Sequence, residues 1–549
     1  MRQRNSRKAD RCQLSTAVSC FHIMRALCVP PLPILLFIAI PAAAVTCESL
    51  LSVNLPDTTL TVAESVTGGK FTPPYGNPLD DVPAFCRVAG VIKPTADSYI
   101  RFEVWLPSSG WNDRYLGVGN GGFAGAIDYR ALGGNLKRGY ATAATDTGHE
   151  ADGTDASWAF HHPEKIADFG YRGLHLTTEN AKTLIRAFYT RPQQHAYFDS
   201  CSDGGREALM EAQRFPEDFD GILAGAPANA WTRLLSNGVA LANAIYAKPE
   251  AYISSFKVPA IQAAALAACD AHDGVKDGIL NDPVNCRFNP SVLLCKGAES
   301  RTCLTAPQIE SLKMIYAGGR SAKGELIFPG LMPGAEDGPN GWGSWLMGRA
   351  AGQSAIGAFV DDYFRYMVFD NPTWSSLSGN VDAAVHTAEE KTAHVLNATD
   401  PNLNRFASRG GKLILYHGWN DPAIAPLNTV NYYRAVQTAM GAQKAGNFVR
   451  LYMVPGMQHC IGGPGATWFG QLGTTTARGD KHGIYDALEH WVEKGMAPGQ
   501  IVATKYLQDN PAKGVQLTRP LCPYPQLAQY NGTGDANDAA SFTCAAPAN

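Results

Sequence analysis

Three strongly apolar runs in this chain each empty into a short turn, and each turn carries a reactive side chain. His195 to Asp199 leads into Cys201-Ser202-Asp203-Gly204-Gly205. Lys412 to Tyr416 leads into His417-Gly418-Trp419-Asn420-Asp421, and Phe448 to Val454 into Pro455-Gly456-Met457-Gln458-His459. Short apolar runs that stop at glycine or proline read as buried strands. Tyr99 to Leu106, Arg114 to Val118 and Tyr140 to Ala144 have the same character, and Gly173 to Tyr189, Arg206 to Arg214 and Tyr485 to Lys494 read as helices. Strand–turn–helix alternation predicts an α/β fold, a mostly parallel sheet with helices on both faces. In such sheets chemistry gathers beyond the carboxyl ends of the strands.

The turn at Ser202 resembles the G-x-S-x-G elbow that lifts a serine hydroxyl above a sheet. Ser200 stands in the place of the first glycine, and Gly204 keeps the second. The order Ser, Asp, His is the chain order of α/β-hydrolases. It predicts Ser202 as nucleophile, His459 as base and Asp421 as the carboxylate that orients the imidazole. An oxyanion hole needs two backbone N–H groups. One is expected from Asp203, directly after the nucleophile. The other is expected from the glycine loop Gly119-Asn120-Gly121-Gly122-Phe123, with Gly122 favoured over Gly121.

Between nucleophile and acid the strand–helix rhythm fades. Residues 229–405 hold four cysteines and many aromatics, and they read as an inserted lid. The expected organisation is therefore a hydrolase core from 45–228 and 406–549, interrupted by that lid. The Asp/Gly-rich segment Asp270 to Ile279 lies inside it. Three carboxylates in a short glycine-containing loop suit a hard, oxygen-seeking cation, foremost calcium. The spacing is not that of an EF-hand, and a solvated acidic turn is the alternative.

The chain starts with Arg2, Arg4, Arg7, Lys8 and Arg11, followed by an apolar run from Ala26 to Ile40 and then Ala42-Ala43-Ala44. This is the pattern of a cleaved signal peptide over residues 1–44. The run is short for a membrane span of about 20 residues. Of thirteen cysteines, Cys12, Cys20 and Cys28 fall in that leader. The remaining even number, with no C-x-x-C pair, predicts disulfides in a secreted or periplasmic protein. A formal net charge of −3 with 17% charged residues offers no basic footprint for nucleic acid. No membrane association is expected once the leader is removed, and a small neutral substrate fits the charge balance.

Longer motifs carry a family resemblance over essentially the whole mature chain. GNGGFAG (Gly119 to Gly125), CSDGGREALMEAQRFPEDFDGILAGAPA (Cys201 to Ala228), HGWNDPAIAP (His417 to Pro426) and VPGMQHCIGG (Val454 to Gly463) resemble the tannase and feruloyl esterase family. The resemblance implies a serine carboxylesterase acting on a small aromatic ester: a hydroxycinnamate, a gallate or a terephthalate half-ester. It implies a disulfide between Cys201 and Cys460. By proximity and resemblance, the other pairs expected are Cys47–Cys86, Cys269–Cys286, Cys295–Cys303 and Cys522–Cys544. It also implies a structural calcium held by Asp270, Asp273 and Asp277 and by the carbonyls of Val275 and Ile279. Acyl selection is expected from lid aromatics such as Phe364, Tyr366 and Trp374, with core packing the alternative role for most of them, and Trp419 and Ile424, which flank the acid, are expected at the substrate. Two other readings use the same residues: a peptidase or acyltransferase on this fold, and a secreted calcium-stabilised binding protein that has lost catalysis.

Overall fold

A computed structural model describes residues 45–477, 479 and 482–547. The expected leader, residues 1–44, lies outside the described residues. Nine strands form the central sheet: β1 (Thr58–Val66), β2 (Phe85–Ile92), β3 (Ile100–Pro107), β4 (Arg114–Val118), β5 (Ala141–Thr145), β6 (His195–Cys201), β7 (Gly221–Gly225), β8 (Lys412–Gly418) and β9 (Val449–Val454). Their order is β1-β2-β3-β5-β4-β6-β7-β8-β9. β1, β2 and β3 pair antiparallel, and β3 meets β5 antiparallel. From β5 across to β9 every pairing is parallel. The chain has the α/β-hydrolase fold.

The inner strands are apolar throughout because helices cover both faces. Every residue of β7 is buried, and so are all but the first of β8. β3 alternates in sequence, yet its polar side is also covered. There the carboxylate of Glu103 receives Arg87 Nε at 2.9 Å, Trp105 Nε1 at 2.7 Å and the Tyr129 hydroxyl at 3.0 Å. A buried charge persists only when paired this fully.

All described strands of this sheet lie within 58–225 and 412–454, and 229–405 adds none to it. That segment instead supplies the helices Trp231–Ile245, Val258–Cys269, Ala306–Ala317, Ala355–Tyr363 and Val381–Leu396. Its apolar core is continuous with the hydrolase core: Val239, Leu312 and Phe364 share one cluster with Phe123, Phe169 and Ile424. After the helix Ile484–Lys494 come two small antiparallel ribbons, Ile501–Tyr506 with Val515–Leu521 and Leu527–Tyr530 with Phe542–Ala545. These lie outside the main sheet.

All five expected disulfides are formed: Cys47–Cys86, Cys201–Cys460, Cys269–Cys286, Cys295–Cys303 and Cys522–Cys544.

Candidate active site

β6 ends at Cys201, and the helix Asp203–Arg214 begins two residues later. Ser202 makes the turn with φ 68° and ψ −122°. A non-glycine residue at positive φ is strained and is held only by its surroundings. Three bonds fix it: the Ser202 N–H donates to the Gly225 carbonyl at 3.0 Å, and the Ser202 carbonyl accepts the N–H groups of Arg206 and Ala228, each at 3.1 Å. The close packing also explains Gly204. A Cβ there would lie 1.8 Å from Ser200 Oγ, so the small residue at 200 and the glycine at 204 share one tight contact.

The three residues named from sequence converge. Ser202 Oγ lies 3.0 Å from His459 Nε2, and His459 Nδ1 lies 2.8 Å from Asp421 Oδ2. Asp421 is buried, and both its oxygens are occupied. Oδ1 accepts the N–H groups of Ala423 at 2.8 Å and Ile424 at 2.9 Å. Oδ2 takes His459 and, at 3.1 Å, His417 Nε2. Burial alone would push this carboxyl up. The adjoining His459 charge and the hydrogen bonds from His417 and His459 outweigh burial and hold it well below the usual carboxylate range.

His417 went unassigned in the sequence. Its Nε2 faces two acceptors, Asp421 Oδ2 and the Ile424 carbonyl at 3.0 Å, so it carries the proton. Nδ1 lies 2.7 Å from Thr429 Oγ1. The signal was the spacing in His417-Gly418-Trp419-Asn420-Asp421, which returns a strand-end histidine onto the acid.

Asp203 is the first residue of its helix, so its N–H is among those with no intrahelical acceptor. Its side chain points away from that role: both it and Arg206 are buried, with Arg206 Nε on Asp203 Oδ1 at 2.6 Å. Gly121 and Gly122 line the same cavity as Ser202, Asp203 and His459. Gly122 has φ +61°, and a Cβ there would meet the Gly153 carbonyl oxygen at 2.2 Å. The loop is tied to the nucleophile helix through Asn120, whose N–H donates to Glu207 Oε2 at 2.8 Å and whose carbonyl accepts the Gly204 N–H at 2.9 Å.

The cavity holds about 610 Å³ and runs from Ser202 under the lid. Its wall includes Ile424, as expected, and Trp231, Leu235, Leu331, Trp345 and Phe359 from the lid. Three expected substrate contacts are corrected. Trp419 is buried in the hydrolase core with Leu413, Leu415 and Val430, not in this wall. Phe364 is fully buried inside the lid, its ring 4.9 Å from Trp374 and 5.7 Å from Phe369. Trp374 closes that aromatic cluster. These rings hold the lid together and are spent on its core.

The segment Asp270 to Ile279 folds as a tight loop. Asp270 is buried and accepts the Gly278 N–H with Oδ1 at 3.0 Å and Oδ2 at 3.1 Å. Asp273 Oδ1 accepts the Val275 N–H at 3.0 Å, and Asp277 Oδ1 the Ile279 N–H at 3.1 Å. Asp277 Oδ2 also receives Arg519 Nη2 at 2.6 Å, which ties the lid to the C-terminal ribbon. Burial, with the charges of Asp277 and Asp270 adding, pushes the Asp273 carboxyl up to about 6. The three carboxylates do not close on one point: Asp270 turns both oxygens to the Gly278 N–H, and Arg519 already pairs with Asp277. Among the described residues the acidic cluster that does converge is His175, Glu211 and Asp218, and there Lys182 Nζ already sits 3.3 Å from Asp218. Among the described residues no helix is long and apolar enough to cross a membrane.

A family model described as tannase and feruloyl esterase matches residues 86–545. The chain belongs to the tannase and feruloyl esterase family. It is 47% identical over 529 residues to an uncharacterized esterase of Xanthomonas campestris pv. campestris, covering 92% of each chain. It is 35% identical over 451 residues to a probable feruloyl esterase B-2 of Aspergillus flavus, covering 80% of this chain and 83% of that one. The crystal structure of feruloyl esterase B from Aspergillus oryzae superposes with a TM-score of 0.84 at 29% identity, over 91% of this chain and 99% of the other. The family's reaction class is ester hydrolysis, and this esterase presents one large cavity around the Ser202, His459 and Asp421 side chains.

Proposed function

We propose that this esterase cleaves small aromatic-acid esters through an acyl-enzyme on Ser202. The observation that carries this reading is the unbroken hydrogen-bond line from Ser202 Oγ to His459 Nε2 (3.0 Å) and from His459 Nδ1 to Asp421 Oδ2 (2.8 Å). As Ser202 Oγ bonds to the ester carbonyl carbon, its proton passes to His459 Nε2. Asp421 stabilises the imidazolium and fixes its orientation. The N–H groups of Asp203 and Gly122 take the negative charge on the former carbonyl oxygen. Collapse breaks the bond to the alcohol oxygen, which leaves with the proton from His459. Water then attacks the acyl-enzyme as His459 accepts its proton; collapse breaks the bond to Ser202 Oγ, which takes that proton back from His459 as the acid leaves.

The apolar walls from Trp231, Leu235, Trp345 and Phe359 support an aromatic acyl group. Feruloyl esters come first among the candidates because named relatives across most of the chain are feruloyl esterases. Gallate and terephthalate half-esters are the competing acyl groups. Rates on methyl ferulate, methyl gallate and a terephthalate half-ester, measured with the parent and with Ser202→Ala, test both parts. Removing a triad nucleophile costs on the order of 10⁶ in turnover. A Ser202→Ala variant that keeps a tenth of the parental rate would overturn the mechanism.

The loop Asp270 to Ile279 offers a calcium ion the carboxylates of Asp270, Asp273 and Asp277 and the carbonyls of Val275 and Ile279, and binding it would draw Asp277 off Arg519. The ion would stabilise the lid and take no part in the reaction, since His459 activates Ser202 directly. Export through a leader in residues 1–44 completes the reading; five disulfides favour an oxidising compartment.

A further inference from the structure

The turn that carries the base is itself strained. Cys460 has φ +62°, and the Ile461 N–H closes back on the His459 carbonyl at 2.7 Å. This is a γ-turn of the rare, strained hand. Such a turn persists only if the structure around it over-determines it.

The Cys201–Cys460 disulfide holds the turn from the nucleophile side, and the lid holds it from the other. Asn340 Nδ2 donates to the His459 carbonyl at 2.8 Å and to the Ile461 carbonyl at 3.1 Å, so one amide spans the whole turn. Its Oδ1 accepts Trp345 Nε1 at 3.0 Å. Trp345 in turn packs edge-on against the His459 imidazole, ring centres 4.8 Å apart at 72°. The core answers in kind. Gln458, buried beside the base, sends Nε2 to the carbonyls of Ala335 at 2.9 Å and Asp337 at 2.7 Å. Asn420, beside the acid, sends Nδ2 to the Pro333 carbonyl at 2.8 Å. The lid segment receiving them is anchored by the buried Glu336, whose Oε1 accepts the Tyr316 hydroxyl at 2.5 Å and the Gly334 N–H at 3.0 Å.

We propose that lid residues 333–345 set the position of the catalytic base, with Asn340 as the positioning residue. The segment does more than cover the substrate. It holds the His459 turn in the geometry that aims Nε2 at Ser202. A lid that loosens here misaims the imidazole without touching Ser202 or Asp421.

The inference rests on the triad reading above, and Ser202→Ala separates the two. If Ser202→Ala stays active, the triad reading itself falls. With Ser202→Ala inactive, Asn340→Ala tests the positioning role alone. It is expected to lower kcat by about tenfold or more, the scale on which small misplacements act, while KM on a short aryl ester moves less than twofold. The acidic limb of the kcat/KM–pH profile, which reports the base in free enzyme, should shift. The isosteric Asn340→Asp keeps the acceptor for Trp345 and removes the two donors. It should reproduce the kcat loss, and it carries the test if Asn340→Ala does not fold. A parental kcat in a folded Asn340→Asp enzyme, or a fall in melting temperature with kcat and pH profile unchanged, would overturn the proposal.

Discussion

His417 and Asp421 are hydrogen-bonded at 3.1 Å, through the same carboxylate oxygen that holds the catalytic histidine. Both side chains are fully buried. The acid therefore accepts from two imidazoles and two backbone N–H groups, and no lone pair is left to draw it out of line. Replacing His417 by Phe removes one donor to the acid and leaves Thr429 Oγ1 without its ring partner. Leaving a buried group unpaired costs about 1–3 kcal/mol. His417→Phe is expected to lower the melting temperature and to reduce kcat several-fold. Parental stability and turnover together would show that this histidine is ornamental.

The two glycines of the second loop should respond differently to a methyl group. A Cβ at Gly121 meets nothing within 4 Å, whereas one at Gly122 runs into Gly153 O at 2.2 Å and must adopt φ +61°. Gly122→Ala is expected to displace the loop and lower kcat by about 10²–10³-fold, the effect of losing one oxyanion donor. Gly121→Ala should stay near the parent. Equal rates in the two variants, measured on one aryl ester, would count against a role for the Gly122 N–H.

Glu207 gives a pH signature. It is buried, its Oε2 accepts the Asn120 N–H, and its Oε1 has no partner among the described residues. Burial, with the Asp203 charge adding and Arg206 offsetting, pushes its carboxyl up to about 8. An unfolded glutamate titrates near 4.3. The folded state thus binds the extra proton between those values, and stability from this group is full below about pH 4.3 and lost as pH rises through about 8. Asp146 and Asp199, each pushed up by burial to about 7, act with the same sign. Glu207→Gln keeps the acceptor for Asn120 and cannot titrate. Its melting temperature should fall less steeply than the parent's between pH 5 and pH 8, and parallel curves would refute the assignment.

Calcium should act on stability before it acts on rate. A ligand at a hundredfold excess over its Kd stabilises by about 2.7 kcal/mol. Chelation is expected to lower the melting temperature of the parent and to do much less to Asp273→Ala. Should chelator stop turnover at once with the melting temperature unchanged, the ion would belong to the chemistry.

The triad was legible because its signals are local. Each member sits just past an apolar strand, and chain order names its role. The aromatic lining was not legible. Phe364, Trp374 and Trp345 look alike in a sequence rich in rings, and only tertiary packing decides which face the cavity. β7 is hidden for a different reason: Gly-Ile-Leu-Ala-Gly has only three apolar side chains between two glycines, too short a run to read as a strand, and β6 and β8 on either side make it one. The antiparallel β1 and β2 were also unforeseen, since exposed positions break the apolar run in β1. The amides of Asn340, Asn420 and Gln458 join segments far apart in the chain, and no spacing rule announces them.

The Cys201–Cys460 bond closes a ring across 259 positions, and the whole lid lies inside that ring. Nucleophile and base are thus neighbours by covalent decree, whatever length of chain separates them. Widening such a ring is cheap, since each doubling costs only about 0.6 kcal/mol. Natural variation can therefore lengthen, trim or exchange the insertion while the reactive pair stays stapled. A chimaera carrying a relative's lid would inherit a new substrate chamber on an unchanged catalytic hinge, provided the graft brings an amide to the place of Asn340.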